Sequence, residues 1–140
     1  MHGGELAAFI AGRDSFFLAT ASADGQPYIQ HRGGAAGFLR VLDERTLGFA
    51  DFRGNRQYVS AGNVAGDDRV ALIAVDYANR RRLKLLGRLR LAPVNAADVA
   101  TRTAAELPDY GARIDHIATI DVEAFDWNCP QHITPRFTVE

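Results

Sequence analysis

Apolar and polar positions in this chain change period several times, and each change marks an element. Leu6, Phe9 and Ile10 recur at helical spacing, which predicts a short helix over residues 5–11 that Gly12 ends. Residues 16–21 form a compact apolar run, and Asp24-Gly25 after it is a hairpin signal because both turn positions tolerate positive φ. Residues 28–32 return with loose alternation, as a strand does when one face lines a site, and Gly33-Gly34 close it. Residues 38–42 and 46–50 flank Asp43-Glu44-Arg45 as a second hairpin. Residues 69–75 are rich in β-branched and aliphatic side chains and predict a buried strand. Residues 82–91 alternate Leu with Lys or Arg at period two, with a slip at Leu86-Gly87 that predicts a bulge. Pro93 ends that strand, Asn95 could cap a helix over 96–107, and residues 114–125 alternate as a last strand. About six short strands separated by turns predict a small barrel-like β domain with a few helices.

Composition narrows the function classes without naming one. A chain of 140 residues predicts one domain, residues 1–140, with a real core. A net charge of -1 argues against a general nucleic-acid binder, and Arg80-Arg81-Arg82 reads as a solvated turn or interface feature. No apolar run approaches the ~20 residues that span a bilayer, and the first residues carry no secretory pattern. The single cysteine, Cys129, fits a reducing, cytoplasmic setting. Cys129 and His132 lie three apart, but a structural metal site uses two paired motifs, so no metal is expected.

Residues 51–58, Asp-Phe-Arg-Gly-Asn-Arg-Gln-Tyr, carry the most chemistry. They follow the apolar run 46–50 and lead into a helix reaching Asn63. A helix N-terminus exposes unpaired N–H groups and a partial positive charge, and an arginine fork matches phosphate geometry. A phosphate grip at Asn55 and Arg56 competes here with a merely solvated, basic helix start.

Three segments give this site a context: residues 24–34 (Asp-Gly-Gln-Pro-Tyr-Ile-Gln-His-Arg-Gly-Gly), residues 49–57, and residues 82–87 (Arg-Leu-Lys-Leu-Leu-Gly). With the tail 126–137, they resemble the pyridoxamine 5′-phosphate oxidase-like flavoproteins, the FMN-binding split-barrel family. The resemblance implies a mainly β fold with short α-helices, a six-stranded antiparallel split β-barrel. It also implies a homodimer that holds FMN at the subunit interface and acts on a small molecule. Carried over, the flavin-side strand is Gln30, His31, Arg32 and Gly33. The next strand end is Ala50 and Asp51, and the helix start is Asn55, Arg56 and Gln57. Arg82 and Lys84 stand where a partner subunit reaches the flavin ring, Arg82 replacing the oxidase's glutamine. Trp127 and Arg136 match flavin-side positions of the tail.

The tail also departs from the oxidase proper. The Arg-x-His pair that meets the vitamin's phosphate is replaced by His132-Ile133-Thr134, so pyridoxamine-phosphate oxidation itself is not expected. The resemblance leaves an FMN-dependent oxidoreductase with an unassigned substrate, with His31 and His132 as the candidate acid–base groups. The alternatives are a non-catalytic flavin-binding or sensor protein, or a split barrel that binds haem or a deazaflavin.

Overall fold

The computed structural model describes residues 4–52, 58–93 and 114–127. Within them the order is α1 (Gly4–Ala11), β1 (Ser15–Ala21), β2 (Pro27–Gly33), β3 (Arg40–Val41), β4 (Thr46–Phe52), α2 (Tyr58–Gly66), β5 (Arg69–Asp76), β6 (Arg81–Pro93) and β7 (Ile114–Trp127). The strands pair antiparallel in one sheet, β2-β1-β5-β6-β7-β4-β3. The fold is mainly β, as expected, with seven strands in place of six. The shortest strand, β3, keeps only two residues of the expected run 38–42. Phe38 and Leu39 leave the ladder and plug the core at 2% and 1% exposure. The expected helix over 96–107 lies outside the described residues.

Turn chemistry is local. Gly25 adopts φ +92°, and its N–H donates to the Ser22 carbonyl at 2.9 Å, closing the β1–β2 hairpin. The Asp43 carboxylate accepts from the Arg45 N–H at 2.8 Å between β3 and β4.

The sheet is strongly curled. β1 and β4 are four places apart, which in a flat sheet of ~4.8 Å spacing would separate them by about 19 Å. Yet the Phe16 and Phe49 rings lie 5.2 Å apart, and Phe38 stacks on Phe16 at 5.5 Å. These rings fill the concave inner face with Leu18, Leu47, Leu72, Leu83, Leu85, Leu89 and Ile120. Burying each such side chain contributes roughly 1.5–3 kcal/mol.

The irregularity expected at Leu86-Gly87 is present, but its extra residue belongs to β7. Leu86 pairs with Ala124 and Gly87 with Val122, so Glu123 is the bulged residue. β6 keeps strict alternation, Leu85 in, Leu86 out, Gly87 in and Arg88 out. What reads in the sequence as a slip is an apolar side chain on the outer face followed by a residue with no side chain on the inner one. A second shift, between Asp51 and Phe52 of β4, skips Asp115, so β7 carries both irregularities.

Candidate functional site

Residues opposite one another across a sheet share a face, so the register sorts the candidate residues. One outer row runs His31–Phe17–Ile73–Lys84–Asp126 across β2, β1, β5, β6 and β7. The next runs Ile29–Ala19–Ala71–Leu86–Ala124. Apart from His31, these residues line a shallow hollow of about 350 Å³, which Phe125 also borders. Its floor is flat because the second row places alanines on β1, β5 and β7. Ile29 and Leu86 remain 64% and 56% exposed in this row, large apolar side chains that a solvated surface does not explain.

Lys84 sets an exposed ammonium on this apolar surface, directly opposite Asp126. His31 stands at the far end, its ring edge-on to Phe17 at 5.3 Å. Three strand steps separate the two, about 14 Å at the usual spacing. Neither reaches the other. Gly33 supports the imidazole closely: a Cβ there would stand 3.2 Å from His31 Cε1. Arg82, opposite Val75, lies two residues before Lys84 and is half-buried.

The other candidates divide. Gln30 and Arg32 share the inner rows with Leu18 and Phe16, and Arg32 is 2% exposed. Ala50 is buried opposite Ile117, and Asp51 pairs with His116 at the irregular end of β4. Trp127 pairs with Leu83 on the inner face, away from the row of Lys84. It meets Phe9 edge-on at 5.1 Å and carries the Arg81 guanidinium 4.4 Å above its ring. Arg81 also pairs with Glu5 at 2.6 Å, and Arg13 covers the Phe9 ring at 4.5 Å. Trp127 therefore docks α1 onto the end of β6 and β7. Asn55, Arg56, Gln57 and Arg136 lie outside the described residues, as do Cys129 and His132. Among the described residues no cluster of three or more His, Cys, Asp or Glu side chains could hold a metal ion.

Sequence reasoning missed the alanine floor. Ala19, Ala71 and Ala124 carry no chemical signal one by one, and only the register brings them together. The signal available was the apolar Leu86 among the outward Lys and Arg positions of β6.

The family profile of pyridoxamine 5′-phosphate oxidase matches residues 3–123. The chain belongs to that family. Solved structures agree on the fold at low identity. HupZ from Group A Streptococcus superposes with a TM-score of 0.65 at 19% identity, over 89% of this chain and 92% of that one. An FMN-binding protein from Syntrophomonas wolfei gives 0.59 at 12%, over 88% and 86%. The heme storage protein HutZ from Vibrio cholerae gives 0.57 at 13%, over 87% and 91%. No curated protein matches the chain. No helix among the described residues is long and apolar enough to cross a membrane.

Proposed function

We propose that this family member binds FMN and uses it as an oxidoreductase on a small molecule other than a phosphorylated vitamin B6. The observation that carries the proposal is the alanine floor with Lys84 at its side, in a chain of this family. A planar ring of flavin size fits a hollow of about 350 Å³ whose floor has no side chain larger than a methyl group at Ala19, Ala71 and Ala124. Ile29 and Leu86 bound the ring, and burying their exposed surface against it excludes water from one face. The Lys84 ammonium favours negative charge on the ring edge beside it. The N-terminus of α2, with Asn55, Arg56 and Gln57 before it, takes the phosphate. When bound, the flavin supplies the electron-transfer chemistry, and the protein supplies orientation and electrostatics. His31 is the acid–base group of the outer face.

The apolar side chains around the hollow also favour a homodimer with the cofactor between subunits. A second copy covers Ile29 and Leu86 and completes the walls that one sheet leaves open.

A haem reading has one observation in its favour, the exposed His31 imidazole on the same face, with HutZ among the structural neighbours. The absorption spectrum of purified protein, with extraction of any bound cofactor, separates the readings: flavin bands support FMN and a Soret band supports haem. Added FMN should lose its fluorescence on the protein. Arg56→Ala should weaken that binding at least tenfold, and NAD(P)H oxidation by the holoprotein should exceed that of free FMN. A colourless protein that fails to quench FMN overturns the flavin reading, and a holoprotein without turnover leaves a binding or sensor role.

A further inference from the structure

Three of the described residues are buried and polar, Thr20, Arg32 and Asn63, and two of them meet each other. Asn63 Nδ2 donates to Thr20 Oγ1 at 2.9 Å across 43 residues of sequence, at 8% and 4% exposure. Thr20 occupies an inner position of β1, in line with Phe16 and Leu18, where an aliphatic residue would ordinarily stand. Asn63 lies on α2, which packs on β1 and touches β6. Residues 62–66 of that helix are Gly-Asn-Val-Ala-Gly, and Val64 alone among them adds a partly buried apolar side chain. Apolar contact of this kind lets a helix slide and turn. A buried amide on a buried hydroxyl does not, because the bond is directional and either group left alone is costly. The C-terminal end is fixed as well: the Asp67 N–H donates to the Asn63 carbonyl at 2.7 Å, and a Cβ on Gly66 would stand 3.1 Å from Ala23 Cβ.

From the Thr20–Asn63 hydrogen bond we infer a positioning pair for the phosphate end of the cofactor, an inference that rests on the flavin reading above. Tyr58, the first residue of α2, precedes Asn63 by five residues, about 7.5 Å of helix, so fixing Asn63 on β1 fixes where the first-turn N–H groups stand. The cofactor's ring end, on the outer face of β1, β5, β6 and β7, does not depend on α2. The pair should therefore act on the phosphate and not on the ring.

FMN and riboflavin share the ring and differ in the phosphate, so dissociation constants for both, by fluorescence quenching, read the two ends separately. Thr20→Val keeps the shape and removes the hydroxyl; it should weaken FMN at least fivefold and riboflavin less than twofold. Thr20→Ser restores the acceptor and should return FMN affinity to within twofold of the parent. Asn63→Ser, whose side chain is too short to reach Thr20, should reproduce the split and stands in should Thr20→Val not fold. Equal weakening of both ligands, or no change in either, overturns the inference. Failure of the flavin reading shows separately, in the parent protein: binding of neither ligand removes that reading, equal binding of both removes the phosphate grip, and the inference falls with each.

Discussion

Gly87 offers the sharpest stability test. It lies on the inner face of β6 where β7 bulges at Glu123, and the two backbones approach there more closely than a side chain allows. A Cβ at Gly87 would overlap the Asp121 carbonyl oxygen and stand 2.9 Å from Ile120 Cγ2. The first obstacle is backbone, so no rotamer change relieves it. β7 must move by most of an ångström, and β7 pairs with both β4 and β6. Overpacking of this kind costs about 1–3 kcal/mol, and a backbone obstacle belongs at the upper end. Against it, replacing glycine with alanine narrows the unfolded ensemble and returns about 0.4–1 kcal/mol. The net for Gly87→Ala is a loss of about 2 kcal/mol, or roughly 8 °C in Tm at about 4 °C per kcal/mol for a chain of this length. Gly62→Ala is the control: nothing lies within 4 Å of its Cβ position inside α2, so it should gain about 0.5 kcal/mol. Calorimetry or thermal circular dichroism on the two variants decides it. A Gly87→Ala protein melting at or above the parent refutes the close approach and the placement of the bulge on β7.

Other outcomes follow from the same geometry. Ile29→Glu and Leu86→Glu place charge beside the outer hollow; on the proposed dimeric flavin site they should give a monomer in light scattering where the parent is a dimer, with at least tenfold weaker FMN binding. Lys84→Met should weaken the reduced cofactor about tenfold more than the oxidised one, since a hydrogen bond to a charged group contributes about 1.5–3 kcal/mol; equal weakening of both forms removes the electrostatic role. Stability should be level from pH 7 to 5 and fall below pH 4. Hydrogen bonds from Arg69 lower the Asp67 carboxyl to about 2, and at Asp76 burial raises the pKa but is outweighed by hydrogen bonds from Asn79 and the Arg13 charge. Carboxyls depressed in the folded state stabilise it above the ordinary carboxylate pKa of about 4, and that contribution is lost as pH falls toward 2. Asp76→Asn should flatten the fall in Tm with acid, and an unchanged slope would count against the hydrogen bonds from Asn79 and the Arg13–Asp76 contact at 3.5 Å together.

The elements that the sequence made legible are those with a clean period. α1, β1, β5 and β6 follow their side-chain patterns because one face of each must be buried, and a one-residue slip would expose all of it. β3 was less legible, since Phe38 and Leu39 look like strand residues but serve as plugs between α1 and the curled sheet. The candidate site was legible by residue type and not by face. Gln30, His31 and Arg32 are consecutive, yet the pleat sends His31 outward and its neighbours inward. Trp127 reads as a ligand residue among polar neighbours, but its ring joins Phe9 and Arg81 beneath α1. Residue type does not distinguish these outcomes: the pairing of β2 with β1 sets the first, and contacts of Trp127 with α1 and β6, more than 40 residues away in sequence, set the second.

The outer face of β6 separates charge that pairs within the fold from charge that the proposed function assigns to a ligand. Lys84, Leu86, Arg88 and Arg90 all project outward from one strand. Arg88 pairs with Asp68 at 2.6 Å and lies 3.6 Å from Glu123, the bulged residue, while Arg90 meets Asp121 at 3.4 Å. These exposed pairs contribute little each, but they neutralise the strand's arginines at the end remote from the hollow. Lys84 makes no ion pair within 4 Å among the described residues, although Asp126 stands opposite it, and its neighbours in the hollow are alanines, Phe17 and Ile73. A cation kept at the margin of a flat apolar surface gains little from the fold. It does gain from a planar ligand that covers that surface and brings negative charge to its edge. The alternation of Leu with Lys and Arg along β6 thus has two meanings, barrel core on one face and, on the other, a cation beside a floor of alanines.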